Sequence, residues 1–395
     1  MPIQKSKVTI FDVARASGVS SSAVSYALNG KSGVSDVTRD KVLKVARELG
    51  WKPNGAAQAL AKSKTQRVGL VLGYDPKLLS VEPYMMELIS GLGAELEKYD
   101  YSLLVRMAVD ENTKLAIIDD WIATGNVDAM LLVNVELGDP CVALLEEHEE
   151  MPVLAIADAS VAGNLPSLSS ADADAVRQAV RYLYDLGHRQ IARVGGPESL
   201  AHSYIRDSAF ADVASELGMR YRCLHTDYTP ETGSEATKRL LSFPEHPTAI
   251  IYDNDVMALA GLGVAASQGI KVPEEISIMS WDDSFMCTAA YPNLTAMGRD
   301  VVDTGKQAAG LLLKLIDGER VGHLMEGPYE LRARASTGPA PDSGIRCDDE
   351  LKKKLRLRIC CGNRNFFIRG RMFCVRASSA DRSSLRPRRE STIGG

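Results

Sequence analysis

Long apolar runs are absent from this sequence. No stretch of roughly eighteen consecutive apolar residues occurs among the 395 residues, which argues against a membrane-spanning helix. The first 18 residues carry lysines but lack an apolar core and a small-residue cleavage site, so we expect no secretory signal. Since 45% of the residues are hydrophobic and 25% are charged, we expect a soluble, globular protein in the cytoplasm.

Cysteine is scarce in the main part of the chain. Only three of the seven cysteines fall in the first 340 residues, as in a protein kept reduced in the cytoplasm. Beyond residue 340, the adjacent Cys360 and Cys361 with the distant Cys347 and Cys374 do not match a zinc-binding spacing. No nucleophile, metal cluster or phosphate loop accompanies the charged residues elsewhere. The sequence therefore predicts no enzyme and no cofactor.

The charge is distributed unevenly. Residues 1–66 carry a net charge of +7 and residues 342–395 one of +8, which leaves −20 on residues 67–341. A basic head on an acidic body indicates that polyanion binding is confined to the head. A solvated charged face is the alternative. Charge alone does not decide between them.

The first fifty residues predict three short helices. Thr9 with Asp12 resembles a capping box, Ser20 caps a second helix after the turn at Gly18, and Ser35 opens a third. Two helices joined by such a turn predict a helix-turn-helix, whose second helix enters the DNA major groove. A small three-helix bundle with exposed serines fits the same periodicity. The third helix is expected to turn inward Val42, Val45, Ala46 and Leu49.

From Val68 onward, short apolar runs alternate with helical segments. This alternation predicts parallel sheets with helical crossovers. Seven or more strands are more than a single sheet of this kind is expected to hold, so we expect two α/β lobes, divided near Ser167 and again near Leu294. A ligand would lie between the lobes at the carboxyl ends of the strands. The predicted strands are 68–73, 101–105, 129–133, 153–157, 191–196, 249–253 and 276–281.

Several ordered motifs carry a family resemblance. TIFDVARASGVSSSAVSYALNG (9–30) and VSDVTRDKVLKVARELGWKPNGAAQALA (34–61) closely resemble the LacI/GalR family of bacterial transcriptional regulators. In the body, NDVMALAGL (254–262), ISIMSWDDS (276–284) and LRARASTGP (331–339) resemble its effector domain. The resemblance covers about residues 7–340.

The resemblance implies a domain organisation. An all-α helix-turn-helix head is expected at 7–52, and a hinge helix with a linker at 53–66. An effector-binding and dimerisation domain follows at 67–340, with the two-lobed α/β fold of periplasmic binding proteins and parallel sheets. The basic tail 341–395 has no sustained period. It is either disordered, foreign to the domain, or a second nucleic-acid arm.

The resemblance also implies which residues contact DNA. Most members have Thr and Arg where this chain has Ala23 and Tyr26, and a tyrosine cannot pair bidentately with guanine as an arginine does. In the hinge, Leu60 would wedge into a central base step, although it could instead pack on the body. The expected contact residues are Ser21, Ser22, Ala23, Ser25, Tyr26 and Asn29 in the reading helix, and Asn54, Ala57 and Leu60 in the hinge.

An effector site is implied in the body. Arg206 and Asp282 match the family's ligand-binding arginine and aspartate, and Asp158 and Asn254 match two further pocket positions. Guanidinium and carboxylate groups form charge-assisted bonds to vicinal hydroxyls, and Trp281 could cover the apolar face of a sugar. Each charged residue could instead form a structural ion pair.

The predicted function is that of a homodimeric repressor. A small molecule, of the sugar class, would alter the relative orientation of the lobes and so the affinity for double-stranded operator DNA. A solute-binding protein of sugar uptake is disfavoured by the attached head and by the missing signal. A sugar-processing enzyme is disfavoured by the missing catalytic groups.

Overall fold

A computed structural model describes residues 8–51, 64–73 and 76–341, and the backbone of two short strands within 366–373. The predicted hinge contacts Asn54, Ala57 and Leu60 lie outside the described residues. In the described part, no helix is long and apolar enough to cross a bilayer.

The head consists of three helices, as the sequence predicts. They are α1 (Ile10–Ser17), α2 (Ser21–Leu28) and α3 (Asp36–Glu48). Thr9 forms a full capping box: its backbone N–H donates to the Asp12 carboxylate at 2.9 Å, and its hydroxyl accepts from the Asp12 N–H at 3.3 Å. The Ser20 hydroxyl accepts from the Ala23 N–H at 3.2 Å. These caps satisfy donors that the first turn leaves without intrahelical partners.

The three helices share a small apolar core. One predicted member is wrong: Leu49 is 39% exposed. The helix ends at Glu48, and the left-handed Gly50 turns the chain so that Trp51 packs against the core. The buried members of this core are Val13, Ala14, Val24, Ala27, Val42 and Ala46.

The body contains two six-stranded sheets with helices between most consecutive strands. Its strands are β1 (Arg67–Leu72), β2 (Ser102–Met107), β3 (Ala129–Leu132), β4 (Val153–Ile156), β5 (Ser167–Ser169), β6 (Gln190–Gly195), β7 (Arg220–His225), β8 (Ala249–Tyr252), β9 (Ser277–Asp282), β10 (Thr295–Gly298), β11 (His323–Met325) and β12 (Glu330–Arg332). Its helices are α4 (Pro76–Leu79), α5 (Pro83–Leu96), α6 (Glu111–Thr124), α7 (Pro140–Glu146), α8 (Asp172–Asp185), α9 (Ala201–Glu216), α10 (Pro230–Leu241), α11 (Asp255–Ser267), α12 (Phe285–Ala289) and α13 (Val301–Ile316).

Each sheet belongs to one lobe. The first has the strand order β11-β5-β4-β3-β1-β2 and is entirely parallel. The second has the order β12-β10-β9-β8-β6-β7 and is parallel except for β12. The chain passes between the sheets after β5, after β10 and again between β11 and β12. The predicted two-lobed α/β class is therefore confirmed.

Helix α13 packs closely on α5 in the first lobe. A Cβ added to Gly91 would overlap the carbonyl oxygen of Val302, and one added to Gly305 would overlap that of Leu88. Only glycine permits such a backbone approach. Helix α13 follows β10 of the second sheet, so this contact packs the segment that returns from the second lobe against the first lobe.

Residues 340–395 form a separate unit. Its two described strands, β13 (Phe366–Ile368) and β14 (Arg371–Phe373), pair antiparallel. The remainder of the tail lies outside the described residues.

Candidate functional site

The outer face of α2 is polar and accessible. Ser22 and Asn29 are exposed, Tyr26 is 44% exposed, and Ser21 and Ser25 are partly exposed. Ala23 is half-buried beside its own cap. The first turn of α2 carries no acidic side chain, so the positive end of the helix dipole is not offset there by a carboxylate.

A cleft opens where strands of both sheets end. It leaves about 780 Å³ of empty space, including the part open to solvent. From the first lobe, Asn134 and Asp158 follow β3 and β4; from the second, Asp253, Asp282 and Arg299 lie at or just beyond the ends of β8, β9 and β10. Because the strands of each lobe run parallel, their carboxyl ends gather these polar groups at one place.

Arg206, on α9, lies buried in a network of carboxylates on the cleft wall. Its Nε donates to Asp172 Oδ1 at 2.6 Å, and its Nη1 lies 3.5 Å from Asp253 Oδ2. Burial alone would raise the pKa of Asp172, but the charges of Arg206 and Arg299 outweigh it and hold the pKa well below its usual range. Arg206 and Asp172 are therefore both ionised at neutral pH.

Asp282 and Arg299 face each other across 3.4 Å, measured from Oδ1 to Nε. Both atoms are buried, and neither has a hydrogen-bond partner among the described residues. Arg299 is also paired with Glu326 and lies over the rings of Tyr84 and Tyr329. Burial raises the pKa of Asp282 to about 6, although Arg299 and Arg206 act to lower it. Buried polar atoms that lack a hydrogen bond are rare in proteins, so this ion pair retains hydrogen-bonding capacity at the cleft wall.

His202 and Tyr228 complete the wall beside Arg206. The His202 Nε2 lies 2.7 Å from the Tyr228 hydroxyl. Burial, reinforced by the Arg206 charge, lowers the pKa of His202 to about 4. The imidazole is therefore neutral at physiological pH.

The predicted effector residues are only partly brought together. Arg206, Asp282 and Asp158 line the cleft, and Asp158 Oδ1 also accepts from the backbone and hydroxyl of Ser160. Asn254 and Trp281 do not line it. Asn254 caps α11 and donates to the Tyr228 carbonyl at 3.1 Å, whereas Trp281 is fully buried with the Arg206 guanidinium 4.5 Å from its ring.

Sequence reasoning missed several residues of this wall. Asp253 is the last residue of the predicted strand 249–253 and directly follows the observed strand β8, so the rule that ligands bind at the carboxyl ends of strands could have identified it. Arg299 follows β10, and Asp172 begins the helix that comes after β5. Neither of these two strands was predicted. The lining residues not anticipated include Asn134, Asp172, His202, Asp253 and Arg299. No cluster of three or more metal-ligating side chains occurs in the described part of the chain.

Comparisons with known proteins agree on one family. Residues 9–54 match the model for bacterial regulatory proteins of the lacI family, and residues 180–337 match that for a periplasmic binding protein-like domain. The HTH-type transcriptional repressor CytR of Escherichia coli is 31% identical over 345 residues, which are 86% of this chain and 98% of that protein.

Two solved structures extend the likeness. A LacI family transcriptional regulator from Bifidobacterium animalis subsp. lactis is 59% identical, with 70% of this chain and 99% of that one covered and a TM-score of 0.66. The lac repressor dimer bound to operator and the anti-inducer ONPF is 25% identical, with coverage of 84% and 99% and a TM-score of 0.76. These relatives are regulators, and this chain belongs to the LacI family as an effector-controlled, DNA-binding transcriptional regulator rather than an enzyme.

Proposed function

We propose that the chain is a repressor whose cleft binds a small, uncharged, polyhydroxylated effector of the sugar class. The observation that carries this proposal is the buried pair Asp282 Oδ1 and Arg299 Nε, 3.4 Å apart and without hydrogen-bond partners in the described residues. One ligand hydroxyl can accept from the Nε–H and donate to the carboxylate. Charge-assisted bonds of this kind are the strong ones.

The charge balance of the cleft disfavours an anionic ligand. Arg206 is already paired with Asp172 and Asp253, and Arg299 with Glu326. An anion would have to compete with these carboxylates, and separating a buried pair is costly. A neutral ligand adds hydrogen bonds without disturbing the pairs.

The predicted effector residues take different roles in this proposal. Arg206 and Asp282 contact the effector directly, and Asp158 contributes from the first lobe. Asn254 and Trp281 act through neighbours, since Asn254 holds the Tyr228 backbone and Trp281 lies under the Arg206 guanidinium.

The head is proposed to read operator DNA with the exposed face of α2. The serines and Tyr26 provide polar groups that can face DNA, and the small side chain of Ala23 allows close approach to the groove. The hinge residues Asn54, Ala57 and Leu60 remain part of the proposal on the resemblance alone. The α2 residues concerned are Ser21, Ser22, Ala23, Ser25, Tyr26 and Asn29.

We infer that two copies of the chain act together in the cytoplasm as a homodimer. Strand β2 is an edge of the first sheet, and it and the loop beyond it expose Val105, Met107 and Val109. An exposed apolar edge is a liability unless another surface covers it. A second copy is the proposed occupant, because the lac repressor in the structure compared above is itself a dimer.

Calorimetry on the full-length protein tests the effector class. The titrants are neutral monosaccharides and disaccharides, sugar phosphates as anionic counterparts, and amino sugars as cationic ones. The proposal predicts binding of at least one neutral sugar that is strongly weakened in Asp282→Asn and in Arg299→Gln. Preferential binding of sugar phosphates, undiminished by either substitution, would contradict it.

A further inference from the structure

The point at which the chain enters the first lobe is held by one carboxylate. Asp128 Oδ1 accepts the Thr65 backbone N–H at 2.6 Å and the Thr65 hydroxyl at 2.8 Å, and Oδ2 accepts the Gln66 N–H at 2.8 Å. The Asp128 N–H donates in turn to the Arg67 carbonyl at 2.8 Å. Hydrogen bonds to an ionised acceptor are about twice as strong as neutral ones, so Asp128 fixes the backbone of residues 65–67.

Gln66 is held in a conformation that it would not adopt by preference. Its φ of +56° lies in the left-handed region, which is unfavourable for a non-glycine residue. Such residues persist where their surroundings over-determine them. Here the N–H is bound by Asp128, and the carbonyl accepts from the Ser102 N–H at 2.9 Å. The direction of the chain at this junction is therefore imposed by the lobe.

One strand joins this junction to the cleft. Asp128 directly precedes β3, and Val133 and Asn134, which directly follow it, line the cleft. Four strand residues span about 13 Å at roughly 3.3 Å each. Strand β3 also pairs in parallel with β1, which begins at the junction.

We propose that Asp128 is a positioning residue for operator recognition. The head, residues 9–51, is joined covalently to the lobe through residues 52–66, and Asp128 sets the direction in which that connection leaves the lobe. Without the hydrogen bonds from Thr65 and Gln66 to Asp128, the reading face of α2 is intact, but the backbone at the junction samples more orientations. Ordering them on specific DNA then costs affinity. This proposal does not depend on the identity of the effector.

The test uses the full-length protein and fluorescence anisotropy on two duplexes. One duplex is selected from random DNA by the wild-type protein, and the other is a scrambled duplex of the same length. Asp128→Asn retains the size of the side chain but replaces one acceptor oxygen with an NH₂ group, which donates and cannot accept. We expect its affinity for the selected duplex to fall about tenfold, with scrambled-duplex affinity within about twofold of wild type.

Two further variants sharpen the test. Thr65→Val removes a single bond to Asp128, so it should show a smaller loss in the same direction. Asp317→Asn is the matched control, because it removes a carboxylate beside the same junction, in an exposed ion pair with Lys64 at 3.1 Å. Exposed pairs contribute little, so specificity should not change.

Three outcomes would overturn the proposal. They are an Asp128→Asn protein with wild-type affinity for the selected duplex, an equal loss on both duplexes, and an Asp317→Asn protein that matches Asp128→Asn. If Asp128→Asn does not fold, Thr65→Val provides the test. An unchanged affinity of Thr65→Val for the selected duplex would then contradict a positioning role for Asp128.

Discussion

Tyr26 lies on the exposed face of α2, where the family resemblance leads one to expect an arginine. Tyr26→Arg should therefore change the preferred base at one position of each half-site towards guanine without abolishing binding, because guanidinium pairs bidentately with guanine. Selection from random DNA measures this change. Val37→Arg is the control, since it adds the same charge at an 81% exposed position of α3 and should leave the selected sequence unchanged. Identical sequences from Tyr26→Arg and wild type would remove Tyr26 from the reading face.

The titration of Asp282 should appear in effector binding. Its pKa of about 6 means that the carboxylate is ionised at pH 8 and largely protonated at pH 5, and the ionised form accepts a hydroxyl in a stronger, charge-assisted bond. Effector affinity should therefore fall about tenfold from pH 8 to pH 5. His202, with a pKa of about 4, stays mostly neutral over this range.

Calorimetry at pH 8, 6.5 and 5 checks this expectation. Asp282→Asn should bind the same sugar weakly, with no comparable pH dependence. An affinity that rises towards pH 5, or an equal pH dependence in the variant, would show that another group controls binding.

At the scale of single residues, the sequence predicted the contents of the cleft only in part. Arg206 and Asp282 could be identified because they lie in recognisable motifs, and the structure places both on the cleft wall. The pairing of Asp282 with Arg299 could not be predicted, because it depends on how far β10 extends. Trp281 is typical of a sugar-stacking residue by type, yet its ring is buried beneath Arg206, where packing determines its position.

The contact between α5 and α13 depends on two glycines. Gly91→Ala should lower the free energy of unfolding by about 1–3 kcal/mol, because its Cβ would overlap a backbone carbonyl that cannot rotate away. Gly93→Ala is the matched control on the same helix, with no atom near the added Cβ, and should be neutral or stabilising by up to about 1 kcal/mol. Urea denaturation measures both. Equal effects would mean that helix propensity, and not close packing, dominates at Gly91.

At the scale of elements, helices that begin at a capping residue were predicted correctly, whereas short strands were missed. The capping residues Thr9, Ser20 and Ser35 begin helices as predicted, since each supplies a missing hydrogen-bond acceptor. All seven predicted strands are present within two residues of their expected bounds. Strands β5, β11 and β12 have three residues each, too few to show a period, and β7 at a sheet edge carries arginine and histidine beside its apolar residues.

For the whole molecule, the tail and the body should be separable. Truncation after Ala340 should leave the melting temperature, the oligomeric state and the effector response essentially unchanged, because the body closes its second sheet with β12. Loss of the +8 net charge of residues 342–395 should weaken non-specific DNA binding at low salt and reduce its salt dependence. Calorimetric melting, sedimentation and anisotropy at two salt concentrations test this. A truncated protein that fails to fold or to bind its selected duplex would show that the tail belongs to the domain.

For the molecule as a whole, we expect occupancy of the cleft to change the affinity of the head for DNA. The most direct measurement is the affinity for the selected duplex, by fluorescence anisotropy, with and without a saturating sugar that calorimetry has shown to bind. The wild-type affinity should change by roughly five- to 150-fold in one direction. Asp282→Asn should match wild type without sugar and should not respond to it. A sugar that binds in the cleft while leaving the affinity for the selected duplex unchanged would contradict the account.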